Sequence, residues 1–154
     1  MDVRSKGILI DSAINQYHWK QNIPVMPEDL QDIYDSYVAD YENDRVYSVQ
    51  QSFKFTIDNS LYVGRADQIR HGNKGLAVWD IKYSALQGKV LVDNYIESLM
   101  IYAYGLKVRI GGIINVRNYS NLLPVFHIID APCPKSSEMR ILNNLIHEEN
   151  YKRK

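Results

Sequence analysis

Apolar residues recur every three to four positions in four stretches of the chain, and they alternate or cluster in five shorter ones. Residues 7 to 20 place Ile10, Ala13, Ile14 and Tyr17 at helical spacing. Asp11, Asn15 and His18 form a polar stripe beside them, and His18 reads as helix surface. Residues 27 to 42 carry the clearest apolar stripe: Leu30, Ile33, Tyr34, Tyr37, Val38 and Tyr41. Pro27, Glu28 and Asp29 suit the first turn of that helix, and Pro24 with Pro27 punctuates the link before it.

Strands follow. Residues 46 to 57 alternate in part and end in the turn signal Asp58-Asn59-Ser60. Residues 61 to 70 and 76 to 83 form a second hairpin around His71-Gly72-Asn73-Lys74-Gly75. Residues 84 to 92 predict a loop. Asp93 then reads as the cap of a helix burying Ile96, Leu99, Ala103 and Leu106. Two further strands are expected over 112–117 and 125–129. Pro132 and Pro134 break the chain, and Ser136 or Ser137 opens a last helix to about Tyr151, packed through Ile141, Leu142, Leu145 and Ile146. The basic tail, Lys152-Arg153-Lys154, is expected to fray. The order α-α-β-β-β-α-β-β-α predicts an α/β (α+β) fold, a mixed sheet flanked by helices, in one domain over residues 1–154.

The second hairpin carries the candidate chemistry. Leu61, Tyr62 and Val63 precede Asp67; Ala77, Val78 and Trp79 run directly into Asp80. Period-two alternation turns Asp80 and Lys82 to one face and Ile81 to the other. Two carboxylates and an ammonium delivered by neighbouring apolar strands suit a divalent cation and an activated water. A solvated surface ion pair is the alternative reading of the same residues.

The set Gly64, Asp67, Asp80 and Lys82, followed by the helix segment Tyr95 to Tyr104, resembles the PD-(D/E)XK nuclease superfamily. Its nearest likeness is to the RecB-like exonucleases, including the phage and mitochondrial genome-maintenance types. Lys6 to Ile14 is similar to the opening helix of that family, and Val49 to Phe53 to the strand before the core. The resemblance implies a restriction-endonuclease-like core and a metal-dependent DNA nuclease. The implied enzyme is an exonuclease, a phosphodiester hydrolase of DNA processing, repair or phage replication. It implies Asp67, Asp80 and Lys82 as catalytic residues. Magnesium or manganese would be held by Asp67, Asp80, the backbone carbonyl of Ile81, and Asp11. Lys82 would orient or deprotonate the water and offset transition-state charge. Tyr102, Ser98 and Tyr95 would hold the substrate phosphate or the Lys82 side chain, with helix packing as their alternative role.

Three positions depart from the family pattern. Asp11 stands where a histidine is usual, Gln50 where a glutamate is usual, and Ser98 where a glutamine is usual. A carboxylate at position 11 suits magnesium at least as well as an imidazole does. Glu97, next to Ser98, reads as a surface residue. The departures sustain a rival expectation: a catalytically impaired module of the same fold that binds DNA or a protein partner.

Composition narrows the picture. The 18 basic and 18 acidic residues balance to zero, which argues against a broad non-specific DNA footprint but leaves room for a local basic groove. One cysteine, Cys133, excludes an internal disulfide and a cysteine-rich zinc site, and fits a cytoplasmic (intracellular) protein. Cys133 lies between two prolines with no base nearby in sequence. No apolar run approaches the ~20 residues that span a bilayer, and no signal peptide is visible, so no membrane partner is expected. Nucleophile-elbow, P-loop and dinucleotide motifs are missing, so no organic cofactor is expected. DNA is the expected partner; an oligomer or a protein partner stays open. The chain has 12 tyrosines against 3 phenylalanines; Tyr34, Tyr37 and Tyr41, on one helical stripe, read as core rings with hydroxyls toward solvent, with stacking on nucleobases as the alternative.

Overall fold

The computed structural model describes residues 1–120 and 124–153, of which 150–153 are described in backbone only. The expected basic tail therefore lies outside the described side chains. Helix α1 (Val3–His18) and helix α2 (Glu28–Ala39) come first, and a 3-10 turn (Tyr41–Arg45) follows. Strands β1 (Val46–Ile57), β2 (Ser60–Gly72) and β3 (Gly75–Lys82) come next, then helix α3 (Gly88–Leu106). Strand β4 (Arg109–Asn115), a short 3-10 turn, strand β5 (Phe126–Ala131) and helix α4 (Ser136–Arg153) complete the order. This is the expected succession α-α-β-β-β-α-β-β-α.

The five strands form one sheet in the order β1-β2-β3-β4-β5. Tight hairpins make β1–β2 and β2–β3 antiparallel. Asp58 and Asn59, at φ 48° and 67°, form the first turn, where short polar side chains tolerate the left-handed region. The α3 crossover makes β3–β4 parallel, and β4–β5 returns antiparallel.

Helices cover both faces. On one, Ile10, Ala13 and Ile14 of α1 and Leu30, Ile33 and Tyr37 of α2 pack on Ile81, Ile114 and Val116. On the other, Leu91, Leu99 and Ala103 of α3 pack on Val78, Ile110 and Ile113. A smaller cluster seats Met139 and Leu142 of α4 against Ile57. The close fit of α3 on β1 depends on Gly105: a Cβ there would stand 2.7 Å from the Phe53 ring and 2.9 Å from Phe55. Among the described residues no helix is long and apolar enough to cross a membrane.

Four sequence expectations need correction. Ile141 and Leu145, expected on the packing face of α4, are 62% and 53% exposed, because the buried stripe runs through Met139, Leu142 and Ile146. Helix α3 begins at Gly88, so most of the expected 84–92 loop is its first turn. Asp93 is not a cap; it is an exposed partner of Lys89 at 2.9 Å. The start was hidden because the Gln87 cap makes no side-chain hydrogen bond, while Leu91 is fully buried. Tyr41 is not part of the core stripe: α2 ends at Ala39 and Tyr41 is 78% exposed. Finally, the Tyr37 hydroxyl does not reach solvent. It lies within hydrogen-bond distance of His18 Nε2 at 2.6 Å and accepts from Gln68 Nε2 at 2.7 Å. His18 is accordingly half-buried rather than surface.

Candidate active site

The site arises where β2 leaves β3. Their ladder runs from Gly72–Gly75 to Gln68–Trp79 and stops there. The next pair would be Asp67 and Asp80. Instead of a strand carbonyl, the Asp67 carboxylate accepts the Ile81 backbone N–H, Oδ2 to N at 2.8 Å. A side chain thus replaces a ladder bond, which satisfies Ile81 and draws Asp67 beside Asp80.

Strand β1 contributes from the other side. Gln50 has φ 53°, and regular pairing passes from Val49–Gln68 to Gln51–Ala66 around it. This local break sends the Gln50 amide to Asp67, Nε2 donating to Oδ1 at 3.3 Å. Where a glutamate would repel Asp67, the amide supplies a donor.

Asp80 is 2% exposed and projects on the α3 face with Val78, while Ile81 enters the α1/α2 core. The Lys82 ammonium lies 3.2 Å from Asp80 Oδ2. That oxygen is paired by charge but accepts no hydrogen bond, and Asp11 Oδ1 is likewise buried without a donor. Burial, then the neighbouring Asp67, push Asp80 well above the usual carboxylate range despite Lys82. Asp11 reaches this group from α1. Burial and the Asp67 charge raise its pKa to about 6, against the opposing pull of Lys82. Burial alone would lower Lys82, but Asp80, with lesser help from Asp67 and Tyr95, outweighs it and the pKa is raised. Lys82 is therefore an ammonium here, a hydrogen-bond donor rather than a base.

Helix α3 forms the wall. The Lys82 nitrogen sits 4.4 Å from the centroid of the Tyr95 ring, within cation–π range. Tyr102 packs on Phe53 with ring centroids 5.5 Å apart. Its hydroxyl is pushed up first by burial and then by the Asp80 and Asp67 charges. Ser98 is half-buried one turn before Tyr102, and among the described residues no hydrogen bond links it to the carboxylates. Glu97 is exposed and lines a small cavity against Leu145 and Ile146 of α4, away from this group.

The structure thus brings Asp67, Asp80 and Lys82 together, with Asp11, Tyr95 and Tyr102 around them and Gln50 bonded to Asp67. Among the described residues no three His, Cys, Asp or Glu side chains are gathered into a cage for a metal ion. The donor set nonetheless fits a hard cation: it is all oxygen, and two of its buried carboxylate oxygens lack hydrogen-bond donors. The cation seated on Asp80 is Lys82 itself.

One polar feature escaped the sequence reading. Gln68 and Arg70, on the sheet face opposite Asp67, are 0% and 4% exposed. Arg70 Nε donates to Gln68 Oε1 at 2.9 Å, Nη1 to the Glu42 carbonyl at 3.2 Å and Nη2 to Asn43 Oδ1 at 3.4 Å. Asn43 in turn donates to the Tyr37 carbonyl. Two long polar side chains flanking Ile69 between apolar strands were the available signal. Cys133 donates to the Ala103 carbonyl at 3.4 Å, and burial raises its thiol pKa, as suits an inert side chain. No protein-family model, curated protein or solved structure matches the chain.

Proposed function

We propose that the protein is a metal-dependent DNA nuclease, an exonuclease hydrolysing phosphodiester bonds at free ends. The observation that carries this reading is the splayed β2–β3 hairpin, which sets Asp67 and Asp80 side by side with Lys82 at 3.2 Å from Asp80. Carboxylates that disfavour each other's charge are held together at a cost in stability, a pattern typical of functional sites.

Asp67, Asp80, Asp11 and the Ile81 carbonyl would hold magnesium or manganese. Such an ion, when bound, polarises a phosphoryl oxygen and acidifies a water. Lys82 would orient the attacking water and place its ammonium against the charge that grows on the phosphoryl oxygens. Tyr95 holds the Lys82 ammonium over its ring face. Tyr102 and Ser98, on the same side of α3, would donate hydroxyl protons to the substrate phosphate. The water would attack phosphorus and give up a proton to solvent, the bond to the leaving sugar oxygen would break, and that oxygen would take up a proton from solvent.

A second reading has its own support. Gln50 is neutral and hydrogen-bonds Asp67, and among the described residues the carboxylates are not gathered into a cage. These observations favour a catalytically impaired module that binds DNA or a protein. Incubation of purified protein with linear and circular DNA, with and without magnesium or manganese, separates the readings. Metal-dependent loss of linear DNA, with circles spared, supports the exonuclease. DNA binding without cleavage in either metal supports the impaired module.

A further inference from the structure

The sheet face opposite the carboxylates holds a cavity of about 560 Å³ at the far end of the β2–β3 hairpin. Alternation along β3 puts Trp79 into it and Asp80 away from it. Trp79 and Phe126 form an aromatic corner, with ring centroids 5.8 Å apart and planes at 76°. Gly111 is obligatory beneath the indole: a Cβ there would stand 2.3 Å from Trp79 Nε1. Exposed Ile128 adds an apolar edge.

The polar lining is unbalanced. Among the described residues, Arg45, Arg70, Lys74 and Arg109 face the cavity against only Glu42 and Asp130. Glu42 pairs with Arg45 at 3.3 Å, and Asp130 is shared between Lys74 at 3.1 Å and Arg109 at 3.2 Å. Arg70 is 4% exposed; its hydrogen bonds go to two amide oxygens and a backbone carbonyl, and the charges of Asp40 and Glu42 act on it across space. Arg109 Nε is buried and has no acceptor. A buried donor without an acceptor is costly, and an anion in the cavity relieves it. The volume falls within the ~300–1,000 Å³ range of small-molecule pockets.

We propose that this cavity binds a nucleotide, its base against Trp79 and Phe126 and its phosphate on Arg109, Lys74 and Arg70. Flat aromatic walls select a planar ring, and guanidinium groups select a phosphate. The ligand comes either as a free mononucleotide or as the end of a single strand, since both present the same base and phosphate. The proposal stands apart from the nuclease reading, because none of its contacts involves Asp67, Asp80 or Lys82.

The test is calorimetric titration of the full chain without divalent cation, using deoxyadenosine monophosphate, deoxyadenosine, inorganic phosphate and a short oligodeoxyadenylate. Trp19→Phe leaves Trp79 as the sole indole, so quenching of its fluorescence reports the same event. Expected is saturable binding of the monophosphate or the oligonucleotide, tighter than either fragment alone, with Trp79 quenched. Tighter binding of the monophosphate identifies the free nucleotide as ligand; tighter binding of the oligonucleotide identifies a strand end. Arg109→Gln should weaken binding about tenfold or more, as for loss of a charged hydrogen bond. Lys74→Gln, at an exposed turn that does not carry the fold, should weaken it by a smaller factor. Absence of saturable binding by both nucleotide forms overturns the proposal. So does binding unchanged in both Arg109→Gln and Lys74→Gln.

Discussion

Tyr37→Phe isolates the buried polar network that joins α1, α2 and β2. The ring is fully buried, and its hydroxyl accepts from Gln68 Nε2 at 2.7 Å. A hydroxyl has one proton, so with Gln68 donating to it the proton goes to His18 Nε2, at 2.6 Å. Burial raises the Tyr37 pKa to about 12 and lowers that of His18 to about 4, so both stay neutral at neutral pH. Phenylalanine fills the same space and removes these two contacts together with the hydroxyl's interaction with Arg70. Gln68 is 0% exposed, so its orphaned amide costs about 1–3 kcal/mol; the half-buried His18 nitrogen can find water and adds less. The sum is about 2 kcal/mol, which in a domain of this size lowers Tm by about 4–8 °C. Thermal and urea unfolding followed by circular dichroism read it directly. Tyr34→Phe, outside the network, serves as the control and should stay within about 0.5 kcal/mol of the parent. If Tyr37→Phe is equally silent, the network does not stabilise the fold and the argument from its hydrogen bonds is wrong.

Acidification should reveal the same network. The folded pKa of His18, about 4, lies below its ordinary 6.5, so the unfolded chain takes up the proton first. The His18 contribution to stability should be lost as pH drops from 6.5 toward 4, against the opposing contributions of Asp11 and Asp80, whose raised pKa values favour the folded state on acidification. His18→Gln should remove that loss, and a pH dependence identical to the parent refutes the assignment. Gly105→Ala trades a gain of helix propensity, about 1 kcal/mol, against a Cβ driven to 2.7 Å from Phe53. Overpacking at about 1–3 kcal/mol should win, so urea unfolding should show a net loss, and a stabilised variant would show that α3 can shift freely. Manganese titration of Asp11→Ala by calorimetry should show weakened affinity; unchanged affinity and stoichiometry would remove Asp11 from the ligand set.

What the sequence made legible follows from local signals. Both hairpins could be read because turn chemistry is local: Asp58-Asn59 tolerates positive φ, and Gly72 and Gly75 bracket the second turn. Helix α2 could be read from its stripe, although the stripe overran to Tyr41, where the chain had already left the helix. Helix α3 was placed late because Asp93 resembles a cap while the true start lacks one. The juxtaposition of Asp80 and Lys82 follows from strand alternation alone. The role of Ile81 N–H as the anchor of Asp67 does not, because it depends on where two strands part. The nucleotide cavity was illegible for the same reason. Its side chains come from the turn before β1, the β2–β3 hairpin, β4 and β5, and only packing brings them together.

Single-turnover cleavage of an end-labelled linear duplex tests the central claim most directly. The wild type should cleave in magnesium or manganese and stop when the metal is chelated. Lys82→Ala should lose about 100-fold or more of the rate while retaining metal binding, as for removal of one preorganised stabilising group. Asp80→Ala should lose both cleavage and metal binding. Equal rates for the wild type and Lys82→Ala, or no cleavage by the wild type in either metal, would contradict the nuclease reading.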